Sequence, residues 1–89
     1  MKEISVVVPV YKSEKCIPEL TKQISDALKD FNWELILVND CSPDNSWAEI
    51  KKVAAENNNI AGINLRKNGG QDLAILAGLN HAKGKWIVI

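Results

Sequence analysis

Apolar positions along this chain follow two alternating rhythms. Residues 4–10 (Ile-Ser-Val-Val-Val-Pro-Val) and 33–38 (Trp-Glu-Leu-Ile-Leu-Val) are short, nearly continuous apolar runs. That is the pattern of strands covered on both faces, as in a parallel sheet. Residues 60–65 form a third run, softened by Gly62, and Trp86-Ile-Val-Ile89 begins a fourth. Pro9 cannot donate to a ladder, so the first strand is expected to end there. Between the runs the spacing turns helical. Ile17, Leu20, Ile24, Ala27 and Leu28 share one face of a helix whose first turn holds Pro18. Trp47, Ile50, Val53 and Ala54 make a second stripe. Its start, Ser46-Trp-Ala-Glu49, fits a capping box, with Asp44 and Asn45 as alternative caps. A third helix fits residues 72–83, with Ile75, Leu76 and Leu79 inward, Gly78 close to a sheet and Gly84 just past the end.

The predicted order is β-α-β-α-β-α-β. Connections of about 20 residues, each holding a helix, imply right-handed crossovers and a three-layer α/β/α fold with a parallel sheet. No linker, repeat or low-complexity tract interrupts it, so residues 1–89 are read as one unit. Because the fourth apolar run stops at Ile89, this unit is expected to be the front of a larger domain. Such a fragment is expected to associate through the exposed edge of its fourth strand.

Composition narrows the class. At 46% hydrophobic and 25% charged, the chain reads as globular. Lys plus Arg and Asp plus Glu are 11 each. This balance argues against a nucleic-acid grip or a polybasic membrane patch. Cys16 and Cys41 lack the C-x-x-C spacing and read as reduced thiols. Met1-Lys-Glu-Ile-Ser5 has no signal-peptide pattern, and no apolar run approaches the ~20 residues of a membrane span. The expected location is cytoplasmic.

In a parallel sheet, the loops that follow strands emerge at one edge, and ligands bind there. That edge is expected to gather Pro9, Tyr11 and Glu14 from the first loop, and Asn39, Asp40 and Ser42 from the second. The third loop brings Lys67, Asn68, Gly69, Gly70 and Gln71. The set suits a nucleotide: Tyr11 to stack on a base, Asp40 to accept from a base N–H or a ribose hydroxyl. Lys67 and the third helix's N-terminus would meet phosphate. Each residue also has a plainer role: Asp40 as a cap, Tyr11 as rim packing, Asn68-Gly-Gly as a turn. His81 has no partner acid or cysteine near it in sequence and reads as surface. The first loop holds no glycine, which argues against the dinucleotide fingerprint, and no P-loop occurs. No catalytic triad is evident, and Asp40 with Asp44 alone does not make a metal site.

Three segments resemble inverting family 2 glycosyltransferases, which have the GT-A fold. Ser5-Val-Val-Val-Pro-Val-Tyr11 is similar to their opening strand. Glu34-Leu-Ile-Leu-Val-Asn-Asp-Cys-Ser-Pro-Asp-Asn-Ser46 is similar to their second strand and acidic loop. Asn68-Gly-Gly-Gln71, with Ala74, Ala77-Gly78, Ala82 and Gly84, resembles their third segment, and Gln71 leans toward the branch acting on polyprenyl phosphates. The resemblance implies the Rossmann-like nucleotide-binding half of a GT-A fold. It places Pro9 and Tyr11 at the nucleobase, Asp40 in a hydrogen bond to the base, Glu14 near the ribose and phosphates, and Lys67 at the nucleotide. Three departures stand out: Asn39 replaces the first Asp of the usual pair, Cys41 replaces Gly, and Lys12-Ser13 replaces the usual Asn-Glu.

The resemblance further implies a UDP- or GDP-sugar donor, and a lipid-phosphate or glycan acceptor of the kind met in cell-envelope polysaccharide synthesis. Mg²⁺ or Mn²⁺ would assist, held by an Asp-x-Asp past Ile89. Catalytic base, metal ligands and any membrane contact are expected beyond these residues, so residues 1–89 are expected to bind without turnover. The non-enzyme alternative is a small α/β module that binds a nucleotide or partner. A nucleotidyltransferase reading is weaker, because the first loop lacks a Gly-rich, basic pattern.

Overall fold

The computed structural model describes residues 2–12, 14–40, 44–65 and 70–89, and the side chains of all of these except 70–73. The elements run β1 (Ile4–Val10), α1 (Ile17–Ala27), β2 (Trp33–Asp40), α2 (Ser46–Glu56), β3 (Ile60–Leu65), α3 (Gly70–His81) and β4 (Trp86–Val88). All strand pairs are parallel, in the order β3-β2-β1-β4. The predicted element order and three-layer architecture therefore hold.

Alternation along the strands sorts the core into two layers. Val10, Leu35, Leu37 and Ile60 pack with Ile17 of α1 and with Ile50 and Val53 of α2. On the other face, Val7, Ile36 and Val38 pack under Ala74 of α3. Every residue of β2 is buried, because it has a neighbouring strand on each side and a helix layer above and below.

Several local expectations change. Pro9 does not end β1, which runs on through Val10. The Trp86 amide donates to the Glu3 carbonyl, so ladder alternation points the odd-numbered amides of β1 toward β4. Pairing with β4 covers only Ile4–Val6, so the missing N–H of Pro9 costs no ladder bond. In α1, Thr21 is buried while Ala27 is exposed. Its hydroxyl donates to the Pro18 carbonyl at 2.9 Å, which makes this polar residue tolerable inside.

In α3 the inward residues are the small ones, Ala74, Ala77 and Gly78, with Ala82 just past its end. Leu76, expected inward, is 53% exposed. The helix lies too close to β1 for a leucine on that side. A Cβ on Gly78 would already collide with Val7. Gly84 does not close α3, since the helix ends at His81. It is needed for a close approach instead: its amide donates to the Ser5 hydroxyl at 2.7 Å, and a Cβ would lie 2.6 Å from the Ser5 nitrogen. No helix among the described residues is long and apolar enough to cross a membrane.

Candidate functional site

Strand order sets the place of the site. The chain leaves β1 toward β2 and β3, then returns through α3 to β4 on the other side of β1. The direction of winding reverses between β1 and β4, and ligands bind outside the carboxyl ends of strands at such a switch point. The residues at the carboxyl end of β1 are Pro9, Val10 and Tyr11.

Pro9 is half-buried and shares strand parity with Val7, so it belongs to the α3 face. Tyr11 follows the strand and is 45% exposed. In register, Pro9 pairs with Val38 and Val10 with Asn39. Tyr11 and Asp40 are the next residues after that last pair. Asp40 is the last residue of β2 and only 5% exposed. It shares parity with Ile36 and Val38, hence the α3 face. The C-terminal end of α3 is tied to the amino end of β1 through Gly84 and Ser5. Its N-terminus at Gly70 accordingly opens at the carboxyl edge. Pro9, Tyr11, Asp40 and the positive end of a 12-residue helix meet at that edge. Gln71 lies in the first turn of α3, and its side chain lies outside the described residues, as does all of Lys67.

Asn39 departs from the expected grouping. Its parity is opposite to that of Asp40, and it is 3% exposed. Its Nδ2 donates to Asn64 Oδ1 of β3 at 2.9 Å. Its own Oδ1 has no hydrogen-bond partner among the described residues. Adjacent in sequence, Asn39 and Asp40 therefore serve opposite faces of the sheet.

One of the alternative caps is realised here, and a further contact of the same residue was not foreseen in the sequence. Asp44, rather than Ser46, organises the start of α2: its Oδ1 accepts from the Ser46 amide at 3.0 Å and the Ser46 hydroxyl at 2.6 Å. Asn45 is the N-cap residue, yet its side chain makes no capping bond. Asp44 Oδ2 also faces the Glu14 amide at 3.5 Å, tying the loop after β1 to the loop after β2. That contact is made by the Glu14 backbone, not by its carboxylate. The Asp-x-Ser spacing was the available signal.

Lys12 adopts a left-handed backbone, φ 52°, alone among the described non-glycine residues. That conformation costs ~1–2 kcal/mol for a residue with a Cβ. Its ammonium lies 5.4 Å from the centroid of the Tyr11 ring, a cation–π contact worth ~0.5–1 kcal/mol at an exposed position.

The titrating group with a clear shift lies at the opposite edge. Burial pushes the Glu34 carboxyl up. Hydrogen bonds from the Ser5 hydroxyl (2.5 Å) and the Lys83 amide (2.6 Å), with the charges of His81 and Lys2, more than offset that and hold it below its ordinary 4.5. This cluster fastens β1, β2 and the end of α3 together. A groove of about 240 Å³ between α1 and α2, lined by Thr21, Lys22, Ser25, Glu56 and Asn57, also lies away from the switch point. No group of three His, Cys, Asp or Glu residues suited to a metal ion occurs among the described residues. Cys16 is a free, exposed thiol, and Cys41 lies outside the described residues.

Solved structures share this architecture. A mannosyltransferase from Pyrobaculum calidifontis, in complex with GDP-Man and Mn²⁺, superposes with a TM-score of 0.84 at 22% identity, over 97% of this chain and 26% of its own. TarS from S. aureus, residues 1–349, gives 0.79 at 34% identity, over 96% of this chain and 26% of its own. Its UDP-GlcNAc complex matches equally well, with 25% of that chain covered. The chain thus spans about a quarter of these relatives. The family model described as "Glycosyl transferase family 2" matches residues 5–89. With the parallel sheet, the switch point and this match in hand, the chain belongs to glycosyl transferase family 2.

Proposed function

We propose that residues 1–89 are the N-terminal, donor-nucleotide-binding part of a glycosyltransferase that moves a sugar from a UDP- or GDP-sugar to an acceptor with inversion. The observation that carries this reading is the meeting of Pro9, Tyr11, Asp40 and the N-terminus of α3 at one edge and one face of the sheet. Tyr11 offers a ring for the base, and Asp40 offers a buried acceptor for a base N–H. The helix N-terminus, with Gln71 in its first turn and Lys67 before it, offers charge for phosphate. The relatives with bound UDP-GlcNAc and GDP-Man support a donor of this class. The acceptor is taken to be a lipid phosphate or a glycan, and the site of action the cytoplasm.

The described residues do not fit a divalent metal, as no acidic or His/Cys cluster forms among them. A bound Mg²⁺ or Mn²⁺ would stabilise the leaving diphosphate from ligands elsewhere in the protein. Residues 1–89 alone bind the donor without turnover in this reading.

Calorimetry on the intact polypeptide containing these residues tests it, with UDP, UDP-GlcNAc, GDP and GDP-mannose. Tyr11→Ala is expected to weaken the bound nucleotide by ~1–3 kcal/mol, the range for base stacking on an aromatic ring. Asp40→Ala is expected to weaken it comparably and to lessen the preference between bases. Unchanged affinity in both variants overturns the assignment.

A further inference from the structure

We propose that Lys12 is a ligand of the donor's diphosphate, parked on the Tyr11 ring until a nucleotide arrives. This inference rests on the nucleotide-binding reading above and adds a residue that the sequence did not single out for that role.

Three observations carry it. Lys12 is the non-glycine residue that the described backbone holds in the left-handed region, at φ 52°. A residue with a Cβ is strained in that conformation. The ammonium sits 5.4 Å from the Tyr11 ring centroid, and both side chains are exposed. The pair stands at the carboxyl end of β1, at the switch point. Strained backbone that persists at a ligand edge points to a binding role.

The physical sequence is an exchange. A base stacking on Tyr11 takes the ring face that the ammonium covers. The displaced ammonium stays tethered beside the base, one residue after Tyr11 on the loop that follows β1. A charge-assisted contact to phosphate is stronger than the exposed cation–π contact it replaces. Lys12 then favours a nucleoside diphosphate over the bare nucleoside, while Tyr11 favours both.

The test measures affinities of the intact polypeptide for uridine, UDP, guanosine and GDP. Tyr11→Ala is expected to weaken nucleoside and diphosphate together. Lys12→Met and Lys12→Asn are expected to lower the diphosphate-over-nucleoside preference about tenfold, and Lys12→Arg to keep it. The wild type's diphosphate affinity should also fall more steeply with added salt than that of Lys12→Met. Lys12→Asn suits the left-handed backbone, so it separates loop shape from charge. A preference unchanged in both Met and Asn variants overturns the role of Lys12 while leaving the nucleotide site intact. Failure of the wild type to bind any of the four overturns the nucleotide reading itself, and this inference with it.

Discussion

Asn39 and Asp40 show how much one step along a strand decides. Asp40 faces α3 and the switch point, whereas Asn39 faces β3 and donates to Asn64. Position 39 therefore belongs to the far side of the sheet, and Asp40 to the side that α3 covers. Asp44 is the residue that joins the two loops of the site. Asp44→Ala is expected to lower stability by ~1 kcal/mol, the ordinary cost of a lost helix-start acceptor, measured by urea denaturation. Nucleotide affinity should fall with it, because the loop carrying Tyr11 loses a tether. The placement of Asp40 and Tyr11 at the carboxyl ends of neighbouring strands was legible in the sequence, because each follows a short apolar run. The bridging role of Asp44 was not, since it depends on two loops far apart in sequence meeting at one edge.

At the level of elements, the instructive case is α3. Its apolar residues surround the helix, and spacing alone put Ile75, Leu76 and Leu79 inward. The structure turns its small residues to the sheet and leaves Leu76 outside. Size, rather than hydrophobicity, selects the face, because β1 and β2 need the helix close. Gly78→Ala is accordingly expected to destabilise by ~1–3 kcal/mol through collision with Val7. An alanine at an exposed helical glycine would do the opposite. A thermal melt of Gly78→Ala distinguishes steric exclusion, which lowers the midpoint, from helix propensity, which would raise it. Gly84 belongs to the same account, because it lets the chain after α3 reach Ser5. Spacing suggested a helix terminator there, and only the docking of that segment on β1 reveals the close approach.

Across the whole molecule, the element order was readable from the alternation of strand-like and helical spacing, but the strand order β3-β2-β1-β4 was not. Strands buried on both faces look alike in sequence, and nothing in their composition says which lies in the middle. The switch point follows from that order, and the site follows from the switch point. At the opposite edge, Glu34 holds β1, β2 and the end of α3 together. Its carboxyl is held below 4.5 in the folded chain. Its stabilising contribution is therefore present above that value and is lost as pH falls through the lower folded value. Acid titration followed by circular dichroism should show stability declining below about pH 4.5, with a shallower decline in Glu34→Gln.

The β4 edge adds a property of the isolated chain. Trp86 is 67% exposed, and Ile87, Val88 and Ile89 are exposed beside it. An edge strand with apolar side chains and no proline is a template for pairing. Residues 1–89 alone are expected to self-associate, with Ile87→Lys reducing that in sedimentation. A monomer at every concentration, with a sharp melt at high temperature, contradicts this.

The most direct measurement is a nuclear magnetic resonance titration of the intact, ¹⁵N-labelled polypeptide with UDP and with GDP. The amides of Tyr11, Asp40 and Gln71 are expected to shift together and saturate with one affinity, while those lining the groove between α1 and α2 stay still. A folded chain whose Tyr11, Asp40 and Gln71 amides do not move with either nucleotide contradicts a donor site at this edge.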